Sequence, residues 1–166
     1  MVRVYIPATL AMLQRLVADR TLHARSGTAF AVTPALRESY AEGDDEELAE
    51  VARGEAALAS LRLLAGQGLA GLPPRRAVLE AEVDGATPRP DLDDAVVRLA
   101  GPIAFDDVIA AYVDNAEAEA AVLPAIDAVD EADLGDEDAE FAVGDAQDHD
   151  LAWYAPQELP FLLDLL

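Results

Sequence analysis

Two histidines and an abundance of carboxylates are the groups in this 166-residue chain with chemistry to offer. In Asp148-His149-Asp150 an imidazole stands between two acids, a pattern that suits a proton acceptor or a metal ligand. One histidine beside acids is also what chance supplies in so acidic a chain, so His149 is read as a candidate binding residue and not as a catalytic one. His23 falls in a loop. Asp136, Asp138 and Glu140 have the first three spacings of an EF-hand loop. Phe141, however, stands where that loop needs glycine and Gln147 where it needs a bidentate glutamate, so the stretch reads as a solvated acidic segment. Cysteine and lysine are both absent. That removes thiolate nucleophiles, Cys-ligated metals, disulfides, Ser–Lys pairs and Schiff bases. Ser26, Ser39 and Ser60 lie in no G-x-S-x-G turn, and GQGLAG (66–71) follows a helix where a dinucleotide fingerprint needs a strand. No catalytic residue, metal site or cofactor is assigned.

The remaining candidates depend on what positions them. Thr9 and Thr33 stand at two strand-to-helix turns, the second followed by Arg37, Glu38 and Tyr40. If the first two strands are neighbours, both turns meet at one sheet edge, where sheets of the α/β type bind ligands. The competing reading makes the threonines helix N-caps and pairs Arg37 with a local carboxylate. Asp114, at the end of a strand, would be the base or the Mg²⁺ or Mn²⁺ ligand of a carboxylate enzyme at that edge. Tyr112 would line a small-molecule pocket there. Trp153 and Tyr154, adjacent on an extended segment, point to opposite faces. One of them anchors the tail, and core anchoring accounts for Trp153; the alternative makes this pair a partner-binding hot spot.

The elements follow from periodicity. VRVYI (2–6) alternates as a half-buried strand, and Leu10, Leu13, Leu16 and Val17 share a face of a helix over 10–20. Residues 28–33 are a second strand, and Thr33-Pro34 opens a short helix. Asp44 with Glu47 opens a longer one over about 45–65. Strands are expected at 76–83, 95–100 and 109–114, with the first two of these as an antiparallel pair. Helical composition returns at 116–129, where Pro124 should kink or split the helix. Residues 127–150 carry 11 acids in 24 residues and read as a mobile, partly ordered segment. A short strand at 151–154 and a helix at 157–166 close the chain. The economical assembly is a single α+β domain, residues 1–166, with a mixed sheet of about five strands covered by helices in a ferredoxin-like arrangement.

The charge is unevenly placed. The chain holds 33 acids against 11 arginines, a net of −22. All 11 arginines precede residue 99, so residues 1–98 carry −4 and residues 99–166 carry −18. Phosphate contact needs cations, so direct nucleic-acid binding and anionic membranes are excluded as partners of that half. No run approaches the length of a membrane span, and MVRVYIPATL lacks a signal-peptide core, which gives a cytoplasmic expectation.

RVYIPATL (3–10), AFAVTPALRESYAEGDDEEL (29–48) and DHDLAWYAPQEL (148–159) together resemble a family of small uncharacterised actinobacterial proteins. The resemblance runs along most of the chain. It implies a host class and no activity, so no functional residue is carried over from it. Three expectations follow from the residues themselves. The first is a non-catalytic interaction or regulatory protein whose acidic half meets a basic protein surface. The alternatives are a carboxylate, divalent-metal-dependent enzyme and a small-molecule-binding module that forms a homo-oligomer through a sheet edge.

Overall fold

Strand β1 (Val2–Ala8) lies at the centre of the structure, and its sequence explains why. From Val4 to Ala8 every residue is buried, as a strand covered on both faces requires. The computed structural model describes residues 1–166. After β1 come helix α1 (Leu10–Asp19), β2 (Thr21–Leu22), β3 (Thr28–Phe30), α2 (Pro34–Ser39) and the long α3 (Asp45–Gln67). Next are β4 (Ala77–Val83), β5 (Ala86–Pro88), β6 (Val96–Leu99), β7 (Ile103–Ala104) and β8 (Val108–Val113). Helices α4 (Glu119–Asp133) and α5 (Glu137–Gln147), strand β9 (Ala152–Tyr154) and helix α6 (Leu159–Asp164) complete the chain.

The fold is α+β. Its main sheet has seven strands in the order β5-β6-β3-β1-β4-β8-β9, with every neighbouring pair antiparallel, and β2 and β7 form a separate two-stranded ribbon. This corrects the expected mixed, five-stranded, ferredoxin-like sheet. It also corrects the expected pairing of the strands at 76–83 and 95–100. Strand β4 instead pairs with β1 along its whole length, Val2 opposite Val83 through Ala8 opposite Ala77. Strand β6 is taken by β3 and by its own hairpin partner β5.

Alternation sorts the strands onto two cores. Val4, Ile6, Leu79, Val97 and Val113 face a layer made by α1 and α6, which supply Leu10, Leu13, Leu16, Leu159 and Leu162. Tyr5, Phe30, Val78 and Val96 face α3, whose Ala52, Ala56 and Ala57 let it lie close to the sheet. The N-caps read from sequence are made: Thr9 Oγ1 accepts from Met12 N, Thr33 Oγ1 from Leu36 N and Asp44 Oδ1 from Glu47 N. Three acids in the first turn of α3 complement its dipole, and Gly68, at φ 79°, ends it.

The acidic stretch read as partly ordered is helical. A third core of Leu61, Ala118, Val122, Ala125, Val129, Val143 and Ala146 packs α4 and α5 as an antiparallel hairpin on the outer side of α3. Small residues at this seam allow close approach, so few large side chains are needed and the apolar signal in the sequence is weak. Pro124 neither splits nor ends α4. It lies on the exposed face, where the Ala120 carbonyl deprived of its partner meets water.

Candidate functional site

The face of the sheet that α3 covers is left open beyond the helix, and polar residues gather there. Tyr5 on β1 stands opposite Glu80 on β4, and Arg3 opposite Glu82. Tyr112 on β8 stands opposite Val78, on the diagonal from Glu80. The Tyr112 hydroxyl donates to Glu80 Oε1 at 2.9 Å, and Arg3 lies 3.4 Å from Glu80 Oε2 while binding Glu82 at 2.8 Å. Glu80 is 7% exposed, so these partners hold a carboxylate almost removed from water. A β-bulge follows it: Glu80 pairs with Ala110 but Ala81 with Val108, leaving Ile109 extra. Such bulges re-aim neighbouring side chains.

Burial, the hydrogen bond to Glu80 and that group's negative charge push the Tyr112 phenol up to about 12. Burial, and then Glu80, raise the Tyr5 phenol as well. Both are therefore neutral hydrogen-bond donors at ordinary pH. Arg53, half-buried on α3, places its guanidinium 4.7 Å from the centre of the Tyr112 ring.

Two hollows meet at this cluster. One, of about 630 Å³, runs from Val2 and Val32 past Tyr5 and Glu80 to Arg37, Glu46 and Glu50. The other, of about 530 Å³, continues to Gln147, His149 and Asp150 at the end of α5. Glu50, Arg53 and Tyr112 line both, so together they form one groove.

The sequence candidates divide around it. Arg37 and Tyr112 line the first lobe, with Arg37 paired to Asp45, and Tyr112 and His149 line the second. Glu38 and Tyr40 are exposed and line neither lobe. Thr9 and Thr33 do not converge, because β1 and β3 run antiparallel and their following turns lie at opposite ends of the sheet. Both threonines are buried caps, and Thr33 Oγ1 also donates to the Asp94 carbonyl. Asp114, offered as a base or metal ligand, is fully buried. Its oxygens accept from the Arg76 backbone N and side-chain Nε and Nη2, each at 2.8 Å. Arg76 Nη2 also donates to the His149 carbonyl at 2.8 Å, which ties the chain after α5 to the sheet. Trp153 is not the core anchor. It is 59% exposed, opposite Tyr112 on the edge strand, while Tyr154 packs into the first core.

Sequence reasoning missed Arg3, Tyr5, Arg53 and Glu80. Glu80 and Glu82 alternate with Leu79, Ala81 and Val83 along β4, and with helices on both sides of the sheet a glutamate there must sit beneath or beside one.

The hairpin presents the other candidate surface. Thirteen acids lie between Glu117 and Asp150 with no cation among them. Two are paired, Glu119 with Arg75 and Asp133 with Arg62, and these bonds fix the hairpin to α3 and to the start of β4. The other eleven are exposed and unpaired. Among them stand Phe141, 74% exposed, and Leu134, 88% exposed. No group of three acids and histidines is arranged to hold a metal ion, and no helix is long and apolar enough to cross a membrane.

The fold and these surfaces define an α+β sandwich with a polar sheet-face groove and an acidic helical hairpin on its outer side. The chain belongs to a family of unknown function, DUF6912, whose model matches residues 2–163. No curated protein and no solved structure matches it.

Proposed function

We propose that this protein is a non-catalytic, cytoplasmic interaction protein that docks through α4 and α5 onto a basic protein surface. The observation that carries the reading is the makeup of the hairpin: eleven exposed, unpaired carboxylates around a bare phenylalanine. Glu137, Asp138 and Asp145 lie four and three residues before and four residues after Phe141, so they flank it on one helix surface. An aromatic anchor within a charged rim is the usual anatomy of a protein-binding hot spot. The hairpin's self-repulsion supplies a driving force, because a basic partner relieves it.

The test uses the full chain recovered from its native cell. A basic-surfaced partner that stays bound at about 0.5 M salt, where screening leaves only close contacts, supports the reading. That partner must be lost from a Phe141→Ser variant that folds normally. A complex indifferent to Phe141→Ser, or one that dissociates near 0.15 M salt, where the Debye length is about 8 Å, contradicts it.

A further inference from the structure

We propose that the groove between α3 and the open sheet face binds a small zwitterion of the amino-acid type, with Arg53 taking its carboxylate and Glu46 and Glu50 its ammonium group. This site is independent of the hairpin. Seven of the 11 arginines are in ion pairs: Arg3, Arg20, Arg37, Arg62, Arg75, Arg76 and Arg89. Arg53 has no carboxylate within 4 Å although acids outnumber arginines three to one, and it stands half-buried where the two lobes meet. The contact with the Tyr112 ring, 4.7 Å from its centre, holds the guanidinium in the groove, and a guanidinium without a carboxylate partner is suited to take one with two parallel bonds.

The rest of the lining indicates what else the ligand carries. Within the first lobe most of the other charged side chains are already matched: Arg3 with Glu80 and Glu82, and Arg37 with Asp45. What remains unpaired beside Arg53 is Glu46 and Glu50, one helical turn apart on the same face of α3. A lobe whose unpaired charged side chains are one guanidinium and two carboxylates complements a ligand that bears both signs. The net charge of −22 sharpens the choice. A simple anion is repelled by the whole molecule, and a simple cation finds eleven exposed carboxylates on the hairpin instead. A zwitterion has no net charge and gains both contacts in this lobe. Val2, Val32, Ala49 and the tyrosine rings offer apolar contact to its side chain.

The test is a binding titration followed by NMR of the α3 amides and the Arg53 Nε–H, using each standard amino acid in turn. The best of them is then compared with its decarboxylated amine and its deaminated acid. Saturable binding of at least one amino acid is expected, weakened about tenfold or more when either charged group is removed. Arg53→Gln should abolish binding, Arg53→Lys should retain a small part of it, and Glu46→Gln with Glu50→Gln should weaken it about tenfold, each variant remaining folded by far-UV circular dichroism. No saturable binding by the wild-type chain overturns the proposal. So does equal binding of the deaminated acid, or binding that survives Arg53→Gln.

Discussion

Replacing Asp114 by alanine removes the acceptor for three hydrogen bonds and leaves the Arg76 guanidinium, 2% exposed, with only the His149 carbonyl. An uncompensated buried charge costs about 3–5 kcal/mol. Domains of this kind have roughly 5–15 kcal/mol in total, so the variant keeps a folded state with little margin. At about 2–4 °C per kcal/mol the thermal midpoint should fall by roughly 6–20 °C. The companion variant carries Asp114→Asn with Arg76→Met. It removes both charges, and its amide oxygen still accepts the backbone N–H of position 76. It should recover at least half of the loss, because taking out a buried pair is far cheaper than breaking one. Urea unfolding followed by far-UV circular dichroism gives the free energies, and an unchanged slope shows that the unfolded state is the same. A loss below about 1 kcal/mol for Asp114→Ala would refute the reasoning, as would a double variant no more stable than the single one.

Ser60, fully buried, donates to the Ala8 carbonyl at 2.7 Å and accepts from the Ala77 amide at 3.0 Å, bridging α3 to the ends of β1 and β4. Ser60→Ala strands both backbone groups and should cost about 1–3 kcal/mol by the same urea assay. The Tyr112 phenol, raised from 10.0 to about 12 in the folded state, favours folding while it is protonated. That stability is complete below about pH 10, where the unfolded phenol is still neutral, and is lost as pH rises towards about 12. Two units correspond to about 2.7 kcal/mol, and with the group only partly buried about 1 kcal/mol is expected after solvent screening. Tyr112→Phe should remove that part of the alkaline destabilisation. The half of the chain that carries −18 repels itself, so the thermal midpoint should rise between about 0.01 and 0.15 M salt, as the Debye length falls from about 30 to 8 Å. A flat or falling midpoint would count against that reading of the hairpin.

What could be read from the sequence was local. Thr9, Thr33 and Asp44 announced three helices because an N-cap involves residues three apart, and the alternation of β1 and β4 is internal to each strand. Strand order was not legible: Val2–Ala8 and Ala77–Val83 pair across more than 60 residues, and nothing in either segment names its partner. The same limit hid the groove. Arg3, Tyr5, Arg53, Glu80 and Tyr112 come from four elements and become neighbours only through the β1-β4-β8 order and the lie of α3. Of these, Tyr112 alone had been singled out. Most of α4 was legible as helical composition over 116–129, but its end and α5 were obscured because the seam is built from alanine and valine, which hardly stand out against so many acids.

The central claim is that the α4–α5 hairpin is a docking face for a basic protein. The most direct measurement installs a photoactivatable crosslinking amino acid in place of Phe141 in the full chain, in its native cell. A control carries it in place of Arg98, exposed on β6, towards the opposite end of the sheet from β9, the strand that follows the hairpin. One predominant adduct with a basic-surfaced protein at position 141, absent at position 98 and still formed at about 0.5 M salt, is the predicted result. No adduct, the same adducts at both positions, or a partner without a basic surface would contradict it.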